Sequence, residues 1–240
     1  MNTGPIYSRE FLDEQVGGSS GSAGVIVPLL LSLLPVRSVI DIGCGLGAWA
    51  AEFLAHGVAD VWGVDGDYVE RSRLRIPSDR FWARDLKQPI QLHRTFDLAL
   101  CLEVAEHLPE SRAASLVVDL TALAPSLLFS AAVPGQGGNN HLNEQYLPYW
   151  VDLFQKQGFE AIDPIRPRIL GNDSVVWWYQ QNTVMFVSQR SPLSARDFPK
   201  PRTFIHQELY DRIRRPTLGM LVRAFPGTML SSIRYRLGRR

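Results

Sequence analysis

The sequence has few of the residues that build disulfide frameworks, zinc sites or membrane spans. Its 240 residues include only two cysteines, Cys44 and Cys101, and neither stands in a CxxC or Cys/His spacing. This count excludes a disulfide scaffold and a zinc ribbon. The most apolar stretch, residues 25–34, is about half the length needed to cross a bilayer and contains Pro28. We therefore expect it to form a helix packed in the core.

The N-terminus lacks the order of a secretory signal, in which a basic segment precedes an apolar one. Asp13 and Glu14 come before a run of glycine and serine at residues 17–24. We expect a short helix at residues 8–15, followed by a flexible or capping segment. The expected location is the cytoplasm, with a peripheral position at the inner membrane surface as the alternative.

The stretch SVIDIGCGLGAWA, at residues 38–50, indicates a strand, a tight turn and the start of a helix. Its β-branched residues favour a buried parallel strand, and a helical pattern follows the last glycine. Three glycines leave no Cβ in the way of a ligand that lies against the main chain at the helix N-terminus, namely Gly43, Gly45 and Gly47. The stretch therefore predicts a nucleotide-binding turn.

Two kinds of nucleotide fit this turn. Gly43, Gly45 and Ala48 satisfy the dinucleotide fingerprint with alanine as its last member. An anion at Asp41, however, repels a pyrophosphate and suits a ligand with an ammonium and a sulfonium group. The pattern from Asp41 to Gly47 resembles the first motif of class I S-adenosylmethionine (SAM) dependent methyltransferases. The resemblance implies SAM as cosubstrate, with its methionine half held by Asp41, Cys44 and the glycines.

Strands and helices alternate along the rest of the domain, which indicates a doubly wound α/β sheet with ligands outside the strand C-termini. The resemblance implies a Rossmann-like sheet of seven strands, mostly parallel, with a reversed edge strand. Further strands are predicted at residues 60–65, 81–85, 96–103, 127–133, 175–179 and 183–187, and helices at residues 109–123 and 142–157.

Each of the first four predicted strands ends in an acid, and these acids are Asp41, Asp65, Asp85 and Glu103. A purely structural sheet has no need of repeated carboxylates along one edge. By resemblance, Asp65 and Gly66 bind the ribose hydroxyls, and Asp85 binds the adenine amino group with Leu86 against the ring. By the same resemblance, Glu103 lies at the position that separates the family's cofactor-binding residues from its acceptor-binding residues. For any one acid, the alternative is a helix N-cap or a solvated side chain.

The segment EVAEHLP at residues 103–109 is similar to the EVxEHL segment of many class I small-molecule methyltransferases. We expect one helical turn to place Glu103, Glu106 and His107 on a common face. With His141 from a later loop, these side chains could bind Mg²⁺, as in the small-RNA 2′-O-methyltransferases. The alternative is a metal-free wall that caps the adenosine pocket.

The loop at residues 130–145 is rich in glycine and amides, and it leaves the predicted fifth strand where an acceptor approaches the methyl group. Gln136, Asn139 and Asn140 are candidate pocket groups. His141, with His107, is the candidate catalytic residue because imidazole can take a hydroxyl proton at neutral pH. The alternative is a polar turn in which Asn143 caps the next helix. The aromatic run at residues 177–179 could line the pocket or pack in the core.

The domain organisation predicted from the sequence has three parts. Residues 1–35 form a helical cap segment, residues 36–190 a SAM-binding domain, and residues 191–240 a Pro-rich linker with a basic, amphipathic tail. Residues 190–240 contain 12 Lys and Arg against 3 Asp and Glu. Such a tail could dock on a membrane surface, on the acidic body or on a partner enzyme. Nucleic acid is not expected as a partner, because no aromatic platform accompanies the charge.

The sequence thus predicts a SAM-dependent methyltransferase that methylates a hydroxyl group of a small acceptor, such as a sugar, a glycan or a natural-product intermediate. One alternative is a SAM-binding subunit without catalytic activity that is recruited through the basic tail. Another is a nicotinamide oxidoreductase.

Overall fold

The computed structural model describes residues 9–214, with side chains from Gly17 onward. Three short 3-10 helices are found at Arg71–Arg73, Ser78–Arg80 and Ala105–His107. The strands and α-helices are, in chain order, α1 Arg9–Leu33, β1 Ser38–Ile42, α2 Ala48–Ala55, β2 Asp60–Asp65, β3 Phe81–Ala83, β4 Leu98–Leu102, α3 Glu110–Leu123, β5 Ser126–Ser130, α4 Leu147–Gln155, β6 Glu160–Ile162, α5 Arg166–Ile169, α6 Trp177–Asn182, β7 Val184–Val187 and α7 Gln207–Arg214.

The strands form one sheet in the order β3-β2-β1-β4-β5-β7-β6. Strands β1 to β5 pair in parallel, and β7 runs antiparallel to both β5 and β6. The predicted seven-stranded, mostly parallel α/β sheet is confirmed. The reversed strand is not at the edge as predicted, because β6 lies outside it. The strand order reverses between β1 and β4, and in such sheets ligands bind outside the carboxyl ends at this point.

Two apolar layers cover the sheet, one on each face. Ile40 and Ile42 of β1 pack with α3 and α4, whereas Val39 packs with α1 and α2. Each fully buried side chain of this size contributes about 1.5–3 kcal/mol. Because β1 is a central strand buried on both faces, its residues are almost continuously apolar. Asp41 is the one acid in this strand.

Helix α1 corrects the prediction of a short helix followed by a flexible segment, because it runs without interruption through the glycine and serine run. A Cβ at Gly18 would lie 3.0 Å from the Val176 side chain, and a Cβ at Gly21 would lie 3.0 Å from the Ser174 carbonyl. The Ser22 hydroxyl accepts a hydrogen bond from the Val176 N–H at 3.0 Å. The small residues therefore let another part of the chain pack closely on the helix. The predicted core helix at residues 25–34 is confirmed as the second part of α1.

The prediction of a strand at residues 175–179 was wrong, since Trp177 begins helix α6. Tyr179 is buried there against Trp49, with ring centroids 5.2 Å apart. Strand β6 was missed because its three residues are too few to show a period. The predicted helix at residues 142–157 begins only at Leu147, so Asn143 lies outside α4 and does not cap it.

Residues 191–204 are part of the catalytic unit and not a linker, which corrects the predicted boundary at residue 190. The chain divides instead after Phe204, with residues 205–240 as a second unit. The Pro199 carbonyl accepts from the Asp163 N–H at 2.9 Å, and the Arg202 carbonyl accepts from the Arg166 guanidinium at 3.0 Å. The predicted amphipathic segment at residues 218–240 lies outside the described residues. Between residues 9 and 214, no helix combines the length and apolarity that a membrane crossing requires.

We expect a chain that ends at residue 190 to be much less stable than one that ends at residue 204. The shorter chain loses the buried Leu193 side chain and the hydrogen bonds made by Ser191, Pro199 and Arg202. Together these contributions amount to about 4 kcal/mol, or about 10 °C in melting temperature. Thermal unfolding followed by circular dichroism measures the difference. Equal melting temperatures would contradict the assignment of residues 191–204 to the fold.

Candidate active site

The turn between β1 and α2 is fixed by hydrogen bonds to the end of β2. The N–H groups of Gly43 and Cys44 donate to the Val64 carbonyl at 2.8 and 3.2 Å. Gly43 and Gly45 have φ angles of 78° and 53°, in the left-handed region that favours glycine. A Cβ at Gly43 would lie 2.3 Å from the Val104 side chain, whereas a Cβ at Gly45 would meet nothing within 4 Å. The turn therefore packs on Val104 at one glycine and leaves open main chain at the next.

The Asp65 carboxylate is the common acceptor at the end of β2. It accepts from the N–H of Gly45 at 2.7 Å, from the N–H of Gly66 at 2.6 Å, and from the Tyr68 hydroxyl. Burial raises the pKa of Asp65, although these three donors oppose the shift. Tyr68 was not among the predicted site residues, and its contact with Asp65 depends on a turn that the sequence does not specify.

Asp41 is buried at the end of β1, and only 2% of it is exposed. Its Oδ2 atom has no hydrogen-bond partner among the residues described. Burial, together with the nearby Asp65 carboxylate, raises the pKa of Asp41 to about 8, while the Ala50 N–H lowers it. A buried carboxyl oxygen without a partner fits the cationic group of a ligand.

Asp85 and Leu86 lie beyond β3, where the predicted adenine contacts were placed. Asp85 is exposed and accepts from the Lys87 N–H at 3.0 Å within a turn. Leu86 is buried. An exposed acid in a turn matches the alternative of a solvated side chain, and the contact with adenine stays a prediction.

Glu103, directly after β4, has a φ of 53°, which is uncommon for a residue with a side chain. Its carboxylate accepts from the Gln136 amide at 2.9 Å and from the Asn182 amide at 3.1 Å. The Asn182 amide also donates to Gln136 at 3.0 Å. Burial raises the pKa of Glu103, while hydrogen bonds with Asn182, Ser130 and Gln136 limit the shift. The sequence indicated Gln136 but not Asn182, which comes from α6.

Glu106, His107 and His141 form the cluster nearest to the predicted metal site. One donor atom from each side chain can be chosen so that all three lie within 4.8 Å of one another. The two imidazole rings are perpendicular, with centroids 4.8 Å apart. Glu103 is outside this set of donor atoms, although its carboxylate lies close to Glu106 and His141 and also binds the amides. The predicted common face of Glu103, Glu106 and His107 stays a prediction.

The protonation of this cluster is governed by burial. Burial raises the pKa of Glu106, and the nearby Glu103 carboxylate raises it further. Burial and the neighbouring His141 lower the pKa of His107 to about 4, against the opposing effect of the main chain at Asn139 and Asn140. His107 is therefore a neutral imidazole at physiological pH. The side chains of Asn139 and Asn140 are exposed.

His141 is oriented by Glu144, a residue that the sequence analysis missed although it lies three positions later. Its Nδ1 atom lies 2.8 Å from Glu144 Oε1. Glu144 also accepts from the N–H groups of Gly135 and Gly137, both at 2.8 Å. Burial alone would raise the pKa of Glu144, but these donors hold it below its ordinary value. Because the carboxylate accepts at Nδ1, the imidazole presents the Nε2 lone pair.

The sequence from residue 23 to residue 163, more than half of the chain, matches the family described as "Methyltransferase domain". The chain belongs to this family. Its family and fold make it a class I SAM-dependent methyltransferase. No protein of curated function matches the sequence.

Solved structures share the fold at low sequence identity. An O-methyltransferase family protein from Burkholderia thailandensis is 13% identical, with a TM-score of 0.54 over 76% of this chain and 59% of its own. Magnesium protoporphyrin IX methyltransferase from Synechocystis, with bound SAM, is 21% identical, with a TM-score of 0.50 over 76% and 88%. A SAM-dependent methyltransferase from Mesorhizobium loti is 19% identical, with a TM-score of 0.50 over 71% and 98%.

We expect the binding of SAM to release a proton from Asp41 below pH 8. Since the pKa of Asp41 is raised to about 8, the carboxyl group is protonated in the free protein and must ionise to pair with a cation. The affinity should therefore rise by up to about tenfold per pH unit between pH 6 and pH 8. Calorimetry at pH 6.5 in two buffers of different ionisation enthalpy counts the released protons. The same count in Asp41→Asn would contradict this assignment.

Proposed function

We propose that this methyltransferase transfers the methyl group of SAM to a hydroxyl oxygen of a small acceptor, in the class of sugars, glycans or natural-product intermediates. The observation that carries this proposal is the His141–Glu144 pair, in which a carboxylate holds an imidazole with its Nε2 lone pair available. Such a pair is suited to removing the proton of a hydroxyl group, whose own acidity is low at neutral pH.

The residues at the ends of β1 and β2 fit the cosubstrate. SAM supplies an electrophilic methyl group on a sulfonium. The unpartnered Oδ2 of Asp41 would pair with the ammonium group of its methionine half, and the open main chain at Gly45 would lie against it. Asp65 would accept hydrogen bonds from the ribose hydroxyls. One of these bonds would replace the bond that Asp65 accepts from the Tyr68 hydroxyl. Asp85 and Leu86 would border the adenine.

One packing contact supports an acceptor position next to this cosubstrate site. Val104 lies against Gly43, so the segment that follows β4 borders the glycine turn. That segment carries His107, whose ring contacts His141. The acceptor hydroxyl and the methyl group would thus be held side by side, which is the main requirement of a direct displacement.

Glu103 and its amides would recognise the rest of the acceptor. A half-buried carboxylate between Gln136 and Asn182 has oxygen atoms that can accept further hydrogen bonds from hydroxyl groups. This supports an acceptor with several hydroxyls. A neighbouring cavity between Trp150 and Asn182 measures about 20 Å³, which is room for about one water molecule and not for an acceptor.

We expect His141→Ala to reduce methyl transfer by about 10²–10⁴-fold because the general base is lost. Glu144→Gln should cause a smaller loss, since the imidazole remains but loses its ionised partner. Both variants should bind SAM about as tightly as the wild type, because neither residue belongs to the proposed cosubstrate site. The activity is measured as a methyl mass increment in a screen of hydroxylated acceptors, and SAM affinity by calorimetry.

The matched control is His93→Ala, which removes an exposed histidine on the segment that precedes β4, at the opposite edge of the sheet. This variant should keep full activity. Unchanged turnover in His141→Ala would contradict the role of His141, and a methylated nitrogen or carbon in the product would contradict the acceptor class.

A further inference from the structure

Arg112 is a buried arginine on the first turn of α3, and only 4% of it is exposed. Its Nε–H donates to the Leu86 carbonyl at 3.0 Å, and its Nη2 atom donates to the Gln88 carbonyl at 3.0 Å and to the Asp119 carboxylate. Its other terminal nitrogen, Nη1, donates to the Ser115 hydroxyl at 2.8 Å. The guanidinium therefore joins α3 to the segment of chain that follows β3.

Asp119 holds the same segment at a third point. Its Oδ2 atom, which accepts from Arg112, also accepts from the Ile90 N–H at 2.9 Å. The side chains of Leu86 and Ile90 are buried, whereas the three residues between them are exposed. The Arg112–Asp119 pair thus fixes the main chain of this segment at two carbonyls and one N–H.

Asp85 comes directly before this segment and is exposed. On its other side, the Arg84 N–H donates to the Asp65 carbonyl at 2.7 Å, which ties the chain to the end of β2. Within the turn, the Asp85 carbonyl accepts from the Gln88 N–H at 2.9 Å. Asp85 therefore stands between two anchored stretches of main chain, and its position relative to Asp65 depends on both.

Stability alone does not account for this buried ion pair. Taking two charges out of water is costly, and well-packed apolar side chains often replace such a pair without loss of stability. The neighbours Ala113 and Leu116 belong to the apolar layer on this face of the sheet. An apolar pair would lack the planar fork of donors with which an arginine holds several acceptors in one geometry. The hydrogen bonds to the main chain therefore point to a role in fixing the turn.

We propose that Arg112 and Asp119 are positioning residues that give the cosubstrate site its selectivity for adenine. The proposal rests on the proposed function, in which Asp85 and Leu86 border the adenine. A carboxylate on a fixed main chain would accept a hydrogen bond from the adenine amino group, and it would repel a carbonyl oxygen at the same place. On a loosened main chain the carboxylate can turn toward solvent, and the discrimination is lost.

The test compares the binding of two compounds to the full-length chain by calorimetry. One is S-adenosylhomocysteine, which is SAM without its methyl group, and the other is S-inosylhomocysteine, in which a carbonyl oxygen replaces the adenine amino group. We expect the wild type to bind the adenine compound at least about tenfold more tightly, because the analogue leaves the carboxylate unpaired.

In the double variant Arg112→Met with Asp119→Asn, the ratio of the two affinities should fall below about threefold, since the hydrogen bond to the carboxylate is lost. The asparagine keeps an acceptor for the Ile90 N–H, and no buried charge is left unpaired. This variant should therefore fold, and circular dichroism verifies this. Arg112→Lys is a second variant that keeps a positive charge beside Asp119. A lysine lacks the planar fork, so the ratio should fall here as well.

The matched control is Arg166→Met with Asp163→Asn, which removes another buried ion pair. Arg166 also donates to two main-chain carbonyls, those of Gln181 and Arg202, at 2.9 and 3.0 Å. The control loses the same kinds of contact away from the turn after β3. It should keep the wild-type ratio of the two affinities.

A wild-type ratio in both Arg112 variants would overturn the proposal, even if both compounds bind more weakly, because an equal loss reports only a structural role. Equal binding of the two compounds by the wild type would reject the adenine contact of the proposed function and this proposal with it. The wild type alone therefore distinguishes the two failures.

Discussion

The hydrogen bond from the Gly45 N–H to the Asp65 carboxylate, at 2.7 Å, joins the turn after β1 to the end of β2. On its other side, the same turn packs on Val104, which follows β4. The C-terminal ends of three adjacent strands are therefore held in one arrangement by one carboxylate and one glycine. The cosubstrate residues and the acceptor residues belong to different strands, so their spacing depends on this arrangement.

Four acids lie along this edge of the sheet, three of them buried and Glu103 half-buried, and they differ in whether the protein itself provides their partners. Asp65 has three donors and Glu103 has two amides, whereas one carboxyl oxygen of Asp41 has none among the described residues. Burying unpaired acids lowers stability, and the apolar layers on both faces of the sheet offset that cost. The unpartnered oxygen of Asp41 is where we propose that a cationic group of the cosubstrate binds.

Local patterns predicted the elements that are specified locally. The apolar run and glycines of residues 38–50 determined β1, its turn and α2, and the acids at the strand ends were visible as single residues. The elements and site residues that were not predicted depend on contacts between residues far apart in the sequence. The glycine and serine run is helical because Ser174 and Val176 pack on it. Asn182 was missed because its partners Glu103 and Gln136 come from other elements. Glu144 was missed because the irregular loop that brings it to His141, Gly135 and Gly137 has no periodic pattern.

The central claim is that the turn after β1 holds SAM and not a dinucleotide, and calorimetry with SAM and NADH tests it most directly. We expect that SAM binds, that NADH does not, and that Asp65→Ala weakens the binding of SAM by about tenfold or more through the loss of hydrogen bonds to a carboxylate. Binding of NADH without binding of SAM would contradict it.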